Sequence, residues 1–126
     1  MYADVDFLLA LAKEKDWLKE NAERIYRKHR QEIWTSTLAL IEVLLLAHRE
    51  KVKADELLKK VHFLITVKEI KLGEGEVITA ADLMDKFKAT PFDALHAILC
   101  GNDKIISSDK KFDKMGLRRV KLEVLT

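Results

Sequence analysis

Apolar residues along this chain recur with two periods, and the switches between them mark out the elements. Phe7 to Ala12 is an unbroken run of six apolar residues, which predicts a helix buried against a sheet. Leu18, Ala22, Ile25, Tyr26 and His29 then recur at helical spacing. Lys19, Glu23, Arg24, Arg27, Lys28 and Arg30 fill the solvated face of that second helix, and Asp16 stands where a cap is needed. After a short extended start at Tyr2 and Ala3, the next β-like segment is Ile33 to Thr35, followed by Ser36 or Thr37 as the cap of a helix from Leu38 to about Glu50. Leu57, Leu58, Val61, Leu64 and Ile65 return to the helical period. Val67 to Leu72 alternates apolar with polar residues before the Gly73-Glu74-Gly75 turn. Val77 to Phe87 predicts a further helix, Thr90 and Pro91 open one that runs to Cys100, Lys104 to Ser107 predicts a strand, and Lys121 to Leu125 a last one. Helix and strand alternate, so the expected fold is α/β, with a mostly parallel sheet of about five strands covered by helices on both faces.

Composition narrows the classes of function. At 126 residues and 48% hydrophobic, the chain is expected to form a single domain over residues 1–126. Its longest apolar run is six residues against the roughly 18 a membrane span needs, and no leader pattern opens it, so no membrane association and a cytoplasmic location are expected. Lys and Arg total 23 against 21 Asp and Glu, a net charge of +2 that gives no overall steering toward polyanions; any nucleic-acid contact must be local. Cys100 is the sole cysteine, which excludes an intrachain disulfide, and no Cys/His spacing suits zinc. Nucleophile-elbow, phosphate-loop and dinucleotide fingerprints are all missing.

What remains is a set of acidic residues. In a parallel sheet the ligand site lies outside the carboxyl ends of the strands. Asp4 follows the first extended segment, Glu42 lies in the helix after the second, Asp93 opens the helix before the fourth, and Asp109 follows the fourth strand. Glu42 has Leu38, Ala39, Leu45 and Leu46 as its helical neighbours, a costly place for a carboxylate unless a cation, a proton or solvent reaches it. A buried pair with Lys or Arg is the alternative. Asp93 could serve only the helix start at Thr90-Pro91, and Asp109 only a turn. Together, four carboxylates at one crevice would repel unless a cation sat between them, and hard oxygen ligands suit Mg2+ or Mn2+. Such an ion supports phosphodiester hydrolysis.

The order of these segments resembles the PIN-domain nucleases. Tyr2-Ala3-Asp4-Val5-Asp6-Phe7 resembles their opening, Thr37 to Val43 their acidic helix, Pro91-Phe92-Asp93-Ala94-Leu95 their Asp-Ala-Leu segment, and Ile105 to Asp113 their closing motif. Among small members the chain is most similar to VapC-like toxins. The resemblance implies that Asp4, Glu42, Asp93 and Asp109 hold Mg2+ or Mn2+ for endoribonuclease action. It also implies a small antitoxin partner and a homodimer. Ser107 matches a family hydroxyl before the fourth acid, which implies that it holds a carboxylate or a metal-bound water in place, with an ordinary strand-end serine as the alternative. Asp6 stands where many relatives carry Asn or Ser, and is expected to cap the first helix or to reach the metal through water. Asp113 falls at a position that is sometimes acidic in the family, though a solvent-facing role suits it better. His96 is expected to pack or to support a ligand rather than to bind metal. The first strand, Met1 to Ala3, is a stub that gives Asp4 little apparent support.

RNA is expected to meet local positive charge at Lys110 and Lys111 beside Asp109, and at Arg27 and Lys28 within the cluster from Arg24 to Arg30. Trp17, Leu18, Ile25 and Tyr26 beside that cluster suggest an arm for an antitoxin or a second copy, or a helix that merely packs on its own core. The competing functions are a nuclease of RNA processing or turnover and a catalytically silent PIN fold that binds protein.

Overall fold

Strands here are only two or three residues long, so each relies on its neighbours for backbone partners. The computed structural model describes residues 1–125. Along the chain run β1 (Tyr2–Ala3), α1 (Val5–Ala12), α2 (Lys19–His29), a 3-10 turn (Arg30–Glu32), β2 (Trp34–Ser36), α3 (Thr37–Glu50), α4 (Ala54–Leu64) and β3 (Thr66–Lys68). They are followed by α5 (Glu74–Phe87), α6 (Pro91–Cys100), β4 (Ile105–Ser107), α7 (Lys111–Lys114) and β5 (Arg119–Lys121). The five strands lie in the order β3-β2-β1-β4-β5 and every pairing is parallel. This is the single α/β domain that the alternation of periods requires.

Alternation along the strands divides the core. Ala3 and Ile106 face Phe7, Leu8, Val43 and Val61 on one side of the sheet, while Tyr2 and Ile105 face Ala97, Cys100 and Phe112 on the other. Helices therefore cover both faces. The chain winds outward from β1 to β3 and returns to β4 on the far side of β1, so the order reverses between β1 and β4. At that reversal the helices leaving the two strands diverge and open a crevice at the carboxyl ends.

The stub β1 is better supported than its length suggests, because it lies at the centre of the sheet. Tyr2 N–H donates to Lys104 O at 2.7 Å, Asp4 N–H to Ile106 O at 3.1 Å, and Met1 O accepts from Trp34 N–H at 2.9 Å. Pairing on both sides fixes the chain up to Asp4.

Strand boundaries differ from the sequence expectation wherever a partner runs out. The alternating stretch from Val67 to Leu72 pairs only as far as Lys68, since its partner β2 ends at Ser36 and turns into α3. The last strand is Arg119–Lys121 rather than Lys121 to Leu125, because β4 stops at Ser107. Beyond it Leu122 N–H still reaches Ser107 O at 3.3 Å, and the Leu122 side chain turns into the core. The fifth helix begins at Glu74, inside the expected turn, with the Glu76 carboxylate accepting the Gly73 N–H at 3.1 Å. Asp16 accepts from Leu18 N–H in the turn before α2 and is not its cap.

This correction gives a stability test. Leu122 is fully buried and Leu125 is 58% exposed, so Leu122→Ala should cost about 2–5 kcal/mol and Leu125→Ala under about 0.5 kcal/mol. Urea denaturation measures both; equal costs would restore the longer strand.

Candidate metal centre

Separate elements bring the acids of the sequence to one crevice. Asp4 is the residue after β1 and caps α1, its Oδ1 accepting from Val5 N–H at 2.8 Å and its Oδ2 from the Ser107 hydroxyl at 2.6 Å. Ser107, fully buried at the end of β4, also accepts the Asp109 N–H at 3.0 Å. One hydroxyl thus ties the acid after β1 to the acid after β4. Asp109 closes its own turn by accepting the Lys111 N–H at 2.9 Å. Asp93 lies in the first turn of α6, its N–H on the Thr90 hydroxyl oxygen at 3.2 Å. Glu42 projects from α3, and all four carboxylates line the crevice together with Asp6, Leu9, Leu46 and Ser108.

Among the described residues Glu42 pairs with no Lys or Arg. Its side chain is 21% exposed and its Oε1 lies 2.7 Å from Nε2 of the buried His96. Of its helical neighbours, Leu38 and Ala39 are buried while Leu45 opens to solvent. The apolar stripe of α3 is therefore split between the core and the rim of the crevice.

The electrostatics show how crowded the site is. Burial, with the neighbouring Asp6 charge adding to it, pushes the Asp4 carboxyl up to about 7 against the opposing pull of His96, Ser107 and the Val5 N–H. Asp6 is raised by burial and by Asp109, partly offset by Ser108; Asp93 is raised by burial, Asp109 and Glu42, partly offset by Thr90 and Lys111. Repulsion between carboxylates is what a bound cation relieves. Asp6 adds an independent sign that the residues fit one. Its Oδ2 accepts from both the N–H and the hydroxyl of Ser108, while its Oδ1 is buried with no hydrogen-bond partner among the described residues. The donor set lining the crevice is of carboxylate and hydroxyl oxygens, the hard ligands that suit Mg2+ or Mn2+. Asp4, Glu42 and His96 place one ligand atom each within 4.8 Å of one another.

Several expected residues stand elsewhere. The helix cap is Asp4; Asp6 instead braces the loop after β4 through Ser108. Asp113 lies outside the crevice and pairs with both guanidinium ends of Arg119, at 3.1 and 3.0 Å, which holds its carboxyl below the ordinary range. Arg119 also donates to Ser107 O at 2.9 Å, so Asp113 reaches the site only through that clamp. Lys111 is close enough to lower Asp93, whereas Lys110 acts on Asp113 and Glu123. Arg27 and Lys28 are misplaced for a role at the crevice. They end α2, which delivers the chain to the start of β2, so they lie at the amino ends of the strands, opposite the acids. The proposed apolar arm is also mostly core: Leu18 and Ile25 are buried, and Tyr26 donates to Leu64 O at 2.8 Å. Trp17 alone of the group is exposed, at 80%. Tyr2 and Ser36 carry no obvious motif; the signal was a polar tip at Tyr2 within β1 and at Ser36, which closes β2.

The PIN domain family model matches residues 1–117, and the chain belongs to that family. Among solved structures the fold is similar to that of the VapC20 toxin of Mycobacterium tuberculosis, which cleaves the sarcin-ricin loop, with TM-score 0.75 and 18% identity over 94% of this chain and 97% of that one. It is similar also to VapBC2 of Rickettsia felis, solved with a DNA fragment from its promoter (TM-score 0.69, 14% identity, 95% and 96% covered). PAE2754 of Pyrobaculum aerophilum matches with TM-score 0.61 and 19% identity, over 94% and 82% of the two chains. No curated protein sequence matches the chain significantly.

The raised Asp4 carboxyl has a sign that can be read without activity. A carboxyl raised in the fold stabilises it fully below the unfolded value near 4, and that contribution is lost as pH rises toward about 7. In EDTA the melting temperature should therefore fall between pH 4 and pH 7.5. Asp4→Asn, which keeps an acceptor for Val5 N–H, should flatten that fall and melt above the parent at pH 7.5. A parent that gains stability across this window would mean that Asp4 is ion-paired instead.

Proposed function

We propose that this chain is a divalent-cation-dependent endoribonuclease and the toxin of a toxin–antitoxin pair. The observation that carries the reading is the convergence of Asp4, Glu42, Asp93 and Asp109 on one crevice at the reversal of strand order. Membership of the PIN family supports hydrolysis of a phosphodiester. The VapC20 neighbour, named as a toxin that cleaves an RNA loop, supports RNA as the substrate class.

In this reading the four carboxylates hold Mg2+ or Mn2+. Bound there, such an ion makes a nucleophile of water near neutral pH and neutralises charge on the scissile phosphate. Ser107 keeps Asp4 and Asp109 in register with hydrogen bonds to both, and Asp6 steadies the loop that carries Asp109. Lys111, beside the crevice, meets a neighbouring phosphate, and the exposed Lys110 extends that contact away from it.

The partner reading rests on α3, the helix that carries Glu42, on which Ile41, Leu44 and Leu45 are 52%, 46% and 44% exposed. An antitoxin segment with an apolar face would cover them and close the crevice. The VapBC2 neighbour, a complex, supports such a partner. Val77 and Ile78 on α5, also exposed, are the surface proposed for a homodimer. No helix among the described residues is long and apolar enough to cross a membrane, and a cytoplasmic location is proposed with the toxin role.

RNA cleavage with Mg2+ or Mn2+, and its loss in EDTA, tests the reading. Asp4→Asn, Glu42→Gln, Asp93→Asn and Asp109→Asn should each lower cleavage by roughly 100-fold or more, beyond the loss usual for groups that only orient a ligand. Asp113→Asn should stay within about threefold, because it acts only through Arg119. Near-parental rates in any two of the four would defeat the shared site.

Binding of uncleavable RNA in Ca2+ tests the path of the substrate. Lys110→Ala/Lys111→Ala should flatten the salt dependence by up to about 1.4, some 0.7 per phosphate contact, while Arg27→Ala/Lys28→Ala leaves it unchanged. The opposite pattern would route RNA over the amino ends of the strands.

A further inference from the structure

His96 is fully buried and both of its ring nitrogens are engaged. Nδ1 lies 2.6 Å from the Tyr2 hydroxyl and Nε2 lies 2.7 Å from Glu42 Oε1. The Tyr2 hydroxyl is 2.8 Å from Ser36 Oγ, which in turn accepts the Ala39 N–H of α3. Residues from β2, β1, α6 and α3 thus form one hydrogen-bonded chain, and it ends on a carboxylate of the crevice.

The protons in this chain can run in two directions, and the two are not equivalent. If Nδ1 carried the ring proton, His96 would donate to Tyr2 and Tyr2 to Ser36. The Ser36 hydroxyl would then have no acceptor among the described residues, inside a fully buried site. In the other direction Ser36 donates to Tyr2, Tyr2 donates to Nδ1, and Nε2–H donates to Glu42, while the Ser36 oxygen still accepts from Ala39. Every donor then has an acceptor, which is the usual state of buried polar groups. Direct ligation of a metal by Nε2 would need the first direction, because the coordinating nitrogen must be free of its proton.

We propose that His96 is a positioning residue for Glu42. Tyr2 and Ser36 fix its tautomer so that Nε2–H holds Oε1 and leaves Oε2 as the oxygen available to a cation. The inference rests on the cation-binding reading of the crevice and adds to it the reason for a buried imidazole behind a carboxylate. Ser36 has a double part, since it both caps α3 and starts the chain that returns to Glu42 within the same helix. The helix and its functional side chain are thereby placed by one residue. A carboxylate oriented in this way binds metal more tightly, and removal of such an orienting partner typically costs about 10–100-fold in affinity.

The experiment uses Mn2+ alone, with affinity read by electron paramagnetic resonance, and long-range 1H–15N spectra of the histidine rings. In the parent, His96 should show the Nε2–H tautomer before and after Mg2+ is added. His96→Leu should weaken Mn2+ binding by at least about tenfold. His96→Gln, whose amide can still donate to Glu42, should recover most of that loss. Tyr2→Phe touches neither the crevice nor Glu42, yet should weaken Mn2+ binding and mix the His96 tautomers. An Nδ1–H tautomer, or a 15N shift of Nε2 on metal addition that marks it as a ligand, would overturn the proposal. So would unchanged Mn2+ affinity in folded Tyr2→Phe and His96→Leu. A parent that binds Mn2+ with this pattern but cuts no RNA would overturn the ribonuclease reading and uphold this one, whereas a parent that binds no Mn2+ would overturn both.

Discussion

The carboxyl end of this sheet depends on holding the buried Asp4 carboxylate beside other acids. Burial alone disfavours its charge, and Asp6 adds repulsion. The fold answers with directed donors, Val5 N–H on one oxygen and the Ser107 hydroxyl on the other, and with the imidazole of His96 at 3.9 Å. These groups position Asp4 but leave the crevice with an excess of negative charge. Crowded, buried carboxylates of this kind are costly to hold in a fold, and such perturbed groups cluster at functional sites.

The rest of the domain stiffens that arrangement. Asp4 directly follows β1 and Ser107 ends the adjacent parallel β4, so their separation is set by backbone hydrogen bonds rather than by loops. On the outer side of β4 the Arg119 side chain is 2% exposed, and its guanidinium holds Asp113, Glu123 and the Ser107 carbonyl together. A buried cation with three acceptors is a rigid strut, and removal of one partner would leave charge unmatched. On the other side of β1, the Thr35 hydroxyl donates to Ala3 O at 2.8 Å, one residue before Asp4. Strands this short can position the acids of the crevice because such side-chain bonds continue the ladder past its ends.

Much of this was legible in the sequence, and the failures share a cause. The periods of Phe7 to Ala12, Leu38 to Glu50 and Pro91 to Cys100 located helices correctly, since burial against a sheet leaves a local signal. That the four acids share one crevice was legible from Asp4 and Asp109 after strands, from Glu42 on an apolar helix face, and from their order along the chain. Strand ends were misjudged at Leu72 and Leu125 because pairing is decided by the partner strand, which the local pattern does not contain. Arg27 and Lys28 are linked to the crevice by charge alone, whereas the end of α2 must deliver the chain to the amino end of β2, opposite the acids. Asp4 takes the capping role expected of Asp6 because α1 begins at Val5, two residues before Phe7. The link from Ser36 through Tyr2 and His96 to Glu42 joins residues distant in sequence and has no local pattern at all.

The central claim is that these carboxylates form one cation site of oxygen ligands. It is tested most directly by anomalous diffraction from crystals of the protein soaked in Mn2+. The account predicts an anomalous peak inside the crevice, bonded to the Asp4 carboxylate and to at least one of Glu42, Asp93 and Asp109, with the His96 ring still donating to Glu42. No peak at the crevice in a crystal that binds Mn2+ elsewhere, or a peak ligated by His96 Nε2, would contradict it.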